Sequence, residues 1–142
     1  MVKVLLIEDQ PTLRRLVAEV LEFSGYHVVA LGDASTALDM LRSAEFVPDL
    51  ILSDLVLEAM SGTDLLDAVR SEWLWRDIAF IAMSGKEQIE ALDSKQMREV
   101  DGYIAKPFGI KEVLTTVQHA LAQRQRRNSE RQDNTSDSQR FA

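Results

Sequence analysis

The feature that most constrains this chain is a short apolar run that ends on a carboxylate. Residues 48–54 begin at Pro48, continue through Leu50, Ile51 and Leu52, and stop at Asp54. Such a run predicts a strand that is buried on both faces. Because a charge does not belong inside a buried strand, Asp54 should lie at its carboxyl end, where open α/β sheets bind ligands. We therefore take Asp54 as the candidate reactive group.

Similar runs alternate with helical patterns along the rest of the chain. Four further strands are predicted over residues 2–7, 27–31, 78–83 and 102–105. Each of the five strands is followed by apolar residues at helical spacing. Leu16 belongs to the stripe of the first helix and Ile110 to that of the last, whereas the fourth helix, 87–98, has a thin stripe that includes Met97. Five strands alternating with five helices predict an α/β fold, a doubly wound parallel sheet covered on both faces.

Composition narrows the choice of chemistry and of location. The 142 residues contain no cysteine and two histidines, which excludes disulfides and thiolate metal sites and disfavours zinc. The net charge of −7 argues against nucleic-acid binding. No segment resembles a signal peptide or a membrane span, so we expect no membrane association and a cytoplasmic location.

The charge is unevenly spread and marks a boundary. Residues 123–142 contain five arginines and three acids, a charge of +2, so residues 1–122 carry −9. We predict a folded domain over 1–122. The polar tail over 123–142 has almost no apolar residues to bury, and it should be disordered or extend the last helix. The arginines at 124–127 form a solvated helix end or a docking patch.

The carboxyl ends of parallel strands meet at one edge, which brings polar side chains together. The first strand delivers Glu8 and Asp9, the third Asp54, the fourth Ser84 and the fifth Lys106. Clustered carboxylates repel one another unless a cation is present, and hard oxygen ligands suit Mg²⁺. A carboxylate that attacks a phosphoryl group forms an acyl phosphate, with the metal and the lysine neutralising charge.

Taken together, these residues carry a family resemblance. In order and spacing they resemble the receiver domain of two-component response regulators, over about residues 1–122: Glu8-Asp9, Asp54, Gly62, Ser84, Tyr103 and Lys106-Pro107. The resemblance implies a flavodoxin-like, five-stranded sheet of order 2-1-3-4-5. It also implies a cis bond between Lys106 and Pro107.

The resemblance further implies a role for each residue. Asp54 would accept a phosphoryl group from a histidine kinase or a phosphotransfer protein. The magnesium ion would be held by Glu8, Asp9, Asp54 and the backbone carbonyl of Val56. Phosphate binding and switching would fall to Ser84, with Gly85 beside it, to Lys106, and to Tyr103, which would turn inward. The face made by the fourth helix, the fifth strand and the fifth helix would repack to change the binding of an unknown downstream protein.

The chain departs from the family pattern near the acceptor. Glu58 stands where the family often has a proline, which should leave the loop less rigid. Val56 and Lys86 occupy the positions that flank the route of a hydrolytic water in the family. Because valine cannot orient a water molecule, we expect a longer-lived phosphorylated form than in a Val56→Asn variant.

Each residue also has a simpler interpretation. Glu8 and Asp9 suit the start of a helix, Ser84-Gly85 suits a turn, and Lys106 suits a solvated surface. Tyr103 alone would be a packed surface aromatic. The convergence of the set at one edge favours the functional interpretation over these.

Two rival functions remain at this stage. One is a receiver-like scaffold that is never phosphorylated. The other is a magnesium-dependent phosphatase that uses an aspartyl-phosphate, although Val56 occupies the place of its second acid. We expect a signalling module rather than an enzyme, either a stand-alone receiver or a fragment cut just into a linker. The sequence leaves a weak homodimer open.

Overall fold

The computed structural model describes residues 1–140, with side-chain detail for residues 1–132. These residues form five strands, six α-helices and one 3₁₀ turn. The strands are β1 (Lys3–Ile7), β2 (His27–Leu31), β3 (Leu50–Asp54), β4 (Ala79–Gly85) and β5 (Gly102–Lys106). The helices are α1 (Pro11–Phe23), α2 (Ala34–Ser43), α3 (Gly62–Ser71), α4 (Lys86–Glu90), α5 (Ser94–Glu99) and α6 (Ile110–Arg140), with the 3₁₀ turn at Trp73–Trp75.

The sheet is parallel throughout and its strand order is β2-β1-β3-β4-β5. The predicted doubly wound α/β fold and its strand order are confirmed. All five residues of β3 are buried, as expected for a central strand that is covered on both faces.

Apolar side chains on the two faces of the sheet form separate cores. On one face α1 and α6 pack through Leu21 and Val117. On the other face α2 and α3 pack through Leu38 and Leu65. Because both faces are covered, the carboxyl edge of the sheet is left as the place where polar groups can gather.

The prediction of five helices is wrong, because the fourth helix is split in two. Asp93 accepts a hydrogen bond from the Gln96 backbone N–H at 2.8 Å, and the Gln96 side chain accepts one from the Asp93 N–H at 3.1 Å. This capping box starts α5 as a new helix after α4 has ended at Glu90.

Three residues assigned to apolar stripes are exposed instead. Leu16 is 49% exposed, Met97 38% and Ile110 56%. Leu16 flanks the buried positions of α1, Met97 lies in α5, which buries none of its residues, and Ile110 is the first residue of α6. Helical spacing alone does not separate such positions from buried ones.

The last helix runs well beyond the predicted domain boundary. α6 continues without interruption to Arg140, so the described part of the tail is a helical extension. Residues 141–142 of the predicted tail lie outside the described residues. Among the residues described, there is no helix with the length and apolar character needed to cross a bilayer.

Candidate functional site

The carboxyl ends of β1, β3, β4 and β5 bring the predicted residues to one edge of the sheet. Asp54 is the last residue of β3 and pairs with Met83 of β4. Ser84 therefore follows one position beyond that pair, and Lys106 is paired with Gly85 at the end of β5. Glu8 directly follows β1, and its N–H donates to the Leu31 carbonyl at 3.0 Å.

Three carboxylates cluster at this edge. Oxygen atoms of Glu8, Asp9 and Asp54 lie within 4.8 Å of one another. Glu8 is fully buried and Asp54 is 5% exposed, whereas Asp9 is exposed. Like charges so close together, with only one of them in open solvent, favour a bound cation. An all-oxygen donor set with one exposed ligand fits Mg²⁺, which usually keeps several water ligands.

Lys106 supplies the positive charge on the other side of Asp54. Its Nζ donates to Glu8 Oε1 at 2.5 Å and to Asp54 Oδ2 at 2.6 Å. Desolvation opposes the charged ammonium, but the hydrogen bonds to Asp54 and Glu8 outweigh it and raise the pKa of Lys106. Burial raises the pKa of Glu8 despite its hydrogen bond to Lys106, and the charge of Asp54 adds to the increase. Asp54 is thus held by a cation that it shares with a buried acid.

The loop after β3 holds the second oxygen of Asp54. The Val56 N–H donates to Asp54 Oδ1 at 3.0 Å, and the Val56 side chain is 57% exposed. Glu58 follows in this loop, and Ala59 has φ 64°, in the left-handed region that favours glycine. The loop after β3 therefore presents an open side next to Asp54.

Gly62 allows α3 to start directly against the end of β3. Its N–H donates to the Leu55 carbonyl at 3.1 Å. A Cβ atom at this position would collide with the backbone carbonyl of Asp54 and lie 2.7 Å from the Leu55 Cα. Glycine is required here by close backbone approach.

The remaining predicted residues lie around this centre. Ser84 is buried, and Gly85 precedes α4 as its N-cap. The peptide bond between Lys106 and Pro107 is cis. Lys86 is not brought into the acidic cluster: its side chain is 81% exposed and lies 3.8 Å from Glu90.

Tyr103, predicted to act as a switch residue, lies on the surface and not within the acidic cluster. Its side chain is 52% exposed. It lines an open cavity of about 400 Å³ together with residues of α4, α5 and β5, among them Ile89, Met97 and Ala105. The ring therefore faces the outer surface between these elements.

Sequence reasoning missed Arg14. Its Nη1 donates to the Glu8 carbonyl at 2.9 Å, and it lies 2.8 Å from where a Cβ on Gly32 would be. Arg14 thereby ties the loop that carries Glu8 and Asp9 to α1. Its place one turn into the first helix was readable from the sequence, but its partner, a backbone carbonyl, leaves no sequence signal.

Comparison with protein families decides what this arrangement is. The model of the response regulator receiver domain matches residues 4–118. The chain belongs to the receiver domain family. Receiver domains are signalling switches of two-component systems, phosphorylation is intrinsic to the family, and an acidic pocket in them binds Mg²⁺.

Two relatives show how the receiver domain is used elsewhere. The chain is 35% identical over 124 residues to the transcriptional regulatory protein KdpE of Mycobacterium tuberculosis, covering 85% of this chain and 51% of that protein. It is 30% identical over 107 residues to the chemotaxis protein CheY of Pseudomonas aeruginosa, covering 75% of this chain and 85% of CheY. The chain spans about half the length of the transcriptional regulators it matches.

Solved structures agree with the receiver assignment. The chemotaxis response regulator CheY4 of Vibrio cholerae matches with a TM-score of 0.74 at 25% identity, covering 84% of this chain and 98% of CheY4. A sensor protein from Polaromonas matches with a TM-score of 0.79 at 24% identity, over 87% of this chain and 98% of that one, a likeness of fold.

Proposed function

We propose that this receiver domain is a phosphorylation-dependent switch in which Asp54 accepts a phosphoryl group from a histidine kinase or a phosphotransfer protein. The observation that carries the proposal is the position of the Asp54 carboxylate. It is almost buried, lies among two other acids, and is bonded to the Lys106 ammonium at 2.6 Å. Such a group is costly for a fold to keep unless it is used.

In the proposed reaction an oxygen of Asp54 attacks the phosphorus atom of a phosphohistidine. The new O–P bond forms as the P–N bond breaks, and the electron pair leaves with the donor imidazole, which takes up a proton. Glu8, Asp9, Asp54 and the backbone carbonyl of Val56 would hold a Mg²⁺ ion, which would supply charge neutralisation for the phosphoryl oxygens. Lys106 exchanges its contact with Asp54 for one with a phosphoryl oxygen, so the ammonium remains paired throughout.

The proposed switch begins at Ser84 and ends on an outer face. The Ser84 hydroxyl, next to Gly85, donates to the new phosphoryl group, and the Tyr103 ring turns from its exposed position into the space behind it. The face formed by α4, α5, β5 and α6 then repacks and changes the binding of a downstream protein. Of the residues of α4 and α5, only Ile89 is buried, which makes these elements inexpensive to move.

This proposal is tested by comparing backbone amide NMR spectra recorded before and after acetyl phosphate is added, with MgCl₂ present in both. We expect shifts at residues around Asp54 and, beyond them, at Ser84, Tyr103 and along α4 and α5. The Asp54→Ala variant should show none of them. Shifts confined to the acceptor loops would contradict the repacking, and the same shifts in Asp54→Ala would contradict the role of Asp54.

A further inference from the structure

The helical extension at the end of α6 is held by something other than apolar packing. From Gln123 to Arg140 it contains no apolar residue. A helix that is polar all round lacks the burial that stabilises most helices in proteins. Its attachment to the domain must therefore come from polar contacts.

One face of this extension is nevertheless half-buried. Arg124, Arg127, Asn128 and Arg131 are partly covered, whereas residues 125, 126, 129 and 130 are exposed. The covered positions have the three-and-four spacing of a single helix face. A polar face is thus turned toward the domain where an apolar one would normally be.

The arginines of this face reach three aspartates. Arg124 Nε donates to the Asp77 carbonyl at 2.6 Å, and its Nη1 lies 3.2 Å from Asp49 Oδ1. Arg127 Nη2 lies 2.8 Å from Asp101 Oδ1, and Arg131 pairs with Asp77. The contacts of Arg127 and Arg131 are ion pairs by distance rather than aligned hydrogen bonds.

These aspartates share one place in the fold. Asp49 and Asp101 directly precede β3 and β5, and Asp77 lies two residues before β4. They therefore line the amino edge of the sheet, opposite the acidic cluster of the phosphoacceptor site. Asp49 is tied to the body through Lys3, whose N–H donates to Asp49 Oδ2 at 2.8 Å.

Asp101 is the most firmly placed of the three. Its side chain is 5% exposed, and Oδ2 accepts hydrogen bonds from Arg70 Nη2 at 3.0 Å and from the Phe80 N–H at 2.8 Å. Arg127 therefore meets a carboxylate that α3 and β4 already hold in position. The arginine side chains of the three pairs remain 25% to 43% exposed, so dissolved salt can screen their attraction to the aspartates.

We propose that Asp49, Asp77 and Asp101 form an acidic docking surface for a basic helix face, and that its occupant is this chain's own arm, residues 123–132 of α6. The arm is an ionic latch, held in place by charge and released by salt. Because Asp101 directly precedes β5, the docked arm also holds the amino end of the strand that carries Tyr103 and Lys106.

Hydrogen exchange of the arm's backbone amides tests the latch on the full chain. A variant with Arg124→Gln, Arg127→Gln and Arg131→Gln removes the pairs while changing helix propensity little. We expect protection of residues 125–132 to fall about fivefold or more in that variant, and by a similar factor in wild type between 0.1 and 1 M NaCl. Asp77→Asn, which alters the other partner, should also lower protection.

The matched control is Arg126→Gln, a change on the exposed face of the same arm. It should leave the exchange of the arm unaltered. Equal loss in Arg126→Gln and in the triple variant would show a general charge effect and overturn the latch. Protection that is insensitive both to salt and to the triple change would overturn it as well.

Discussion

At the scale of single residues, the pKa values at the acidic edge of the sheet reflect two opposing effects, burial and the charges of neighbouring groups. Burial raises the pKa of Glu8, and the ammonium of Lys106 offsets part of the repulsion among the carboxylates. A third partner is the Val56 N–H, bonded to Asp54 Oδ1. Each oxygen of Asp54 is therefore already held, which preorganises the carboxylate for reaction.

Gly62→Ala should destabilise the protein because its Cβ has no space. The new atom would press on the backbone of Asp54 and Leu55, which belongs to the central strand and the acceptor loop. We expect a loss of about 1–3 kcal/mol in the free energy of unfolding, as is typical of overpacking. Urea denaturation monitored by circular dichroism measures it.

The control for this change is Gly109→Ala. Gly109 also lies at the start of a helix, but a Cβ there meets nothing within 4 Å. Its cost should stay below about 1 kcal/mol, because only the preference of an N-cap position for glycine over alanine is lost. Equal losses in the two variants would contradict the steric explanation for Gly62.

Val56→Asn should shorten the life of the phosphorylated form. The Val56 side chain is 57% exposed beside the acceptor and offers no polar atom to orient a water molecule. An asparagine amide at this position could do so, and we expect hydrolysis to accelerate several-fold. The decay of ³²P-labelled protein after removal of the donor measures the rate. Equal decay of the two forms would show that this position does not tune hydrolysis.

At the scale of elements, α2 illustrates how a cap ties stability to pH. Asp33 Oδ1 accepts from the Thr36 N–H at 2.7 Å and from the Ser35 hydroxyl at 2.9 Å. The Thr36 N–H, together with the hydroxyls of Thr36 and Ser35, lowers the pKa of Asp33. A lowered pKa means that its contribution is fully present above the unfolded value of about 3.9 and is lost as the pH falls through the folded value.

Asp33→Ala should therefore cost about 1 kcal/mol at neutral pH. The difference from wild type should shrink as the pH falls below about 4. Urea denaturation across this pH range measures it, with Asp39→Ala as the control on the exposed face of the same helix. A constant difference at all pH values would argue against the charged cap.

The strands were predictable because their signal is local. A buried strand such as β3 needs a continuous apolar run. An acid marks the end of each run: Glu8 directly follows β1, and Asp54 is the last residue of β3. Lys106 and Ser84 were placed by the same logic, since parallel strands end at one edge. These strands form because their apolar side chains are buried, and the sequence shows directly which residues are apolar.

The helices were harder to predict where a weak stripe competes with a polar contact. The break between α4 and α5 depends on the capping box of Asp93 and Gln96, which overrides a thin apolar pattern. The arm of α6 has no apolar signal at all, because its partners, Asp49, Asp77 and Asp101, are distant in sequence. Charge pairing between residues so far apart in sequence leaves no local apolar pattern from which it could be predicted.

At the scale of the whole molecule, the acidic edge should link stability to magnesium. Neutralising the cluster of Glu8, Asp9 and Asp54 favours the folded state, which alone assembles it. At a concentration 100 times the Kd, Mg²⁺ should add about 2.7 kcal/mol to the free energy of unfolding. Asp9→Asn should lose most of this gain, whereas Asp39→Asn should keep it. An equal gain in both variants would indicate a general ionic effect.

The intact mass of the protein after exposure to a phosphoryl donor shows whether Asp54 is the phosphoacceptor. The protein would be incubated with acetyl phosphate and Mg²⁺, with Asp54→Ala and a chelator-treated sample alongside. We expect a single phosphate adduct on the wild-type chain and none in either control. An adduct that persists in Asp54→Ala, or a wild-type chain that remains unmodified by both acetyl phosphate and a phosphorylated histidine kinase, would contradict it.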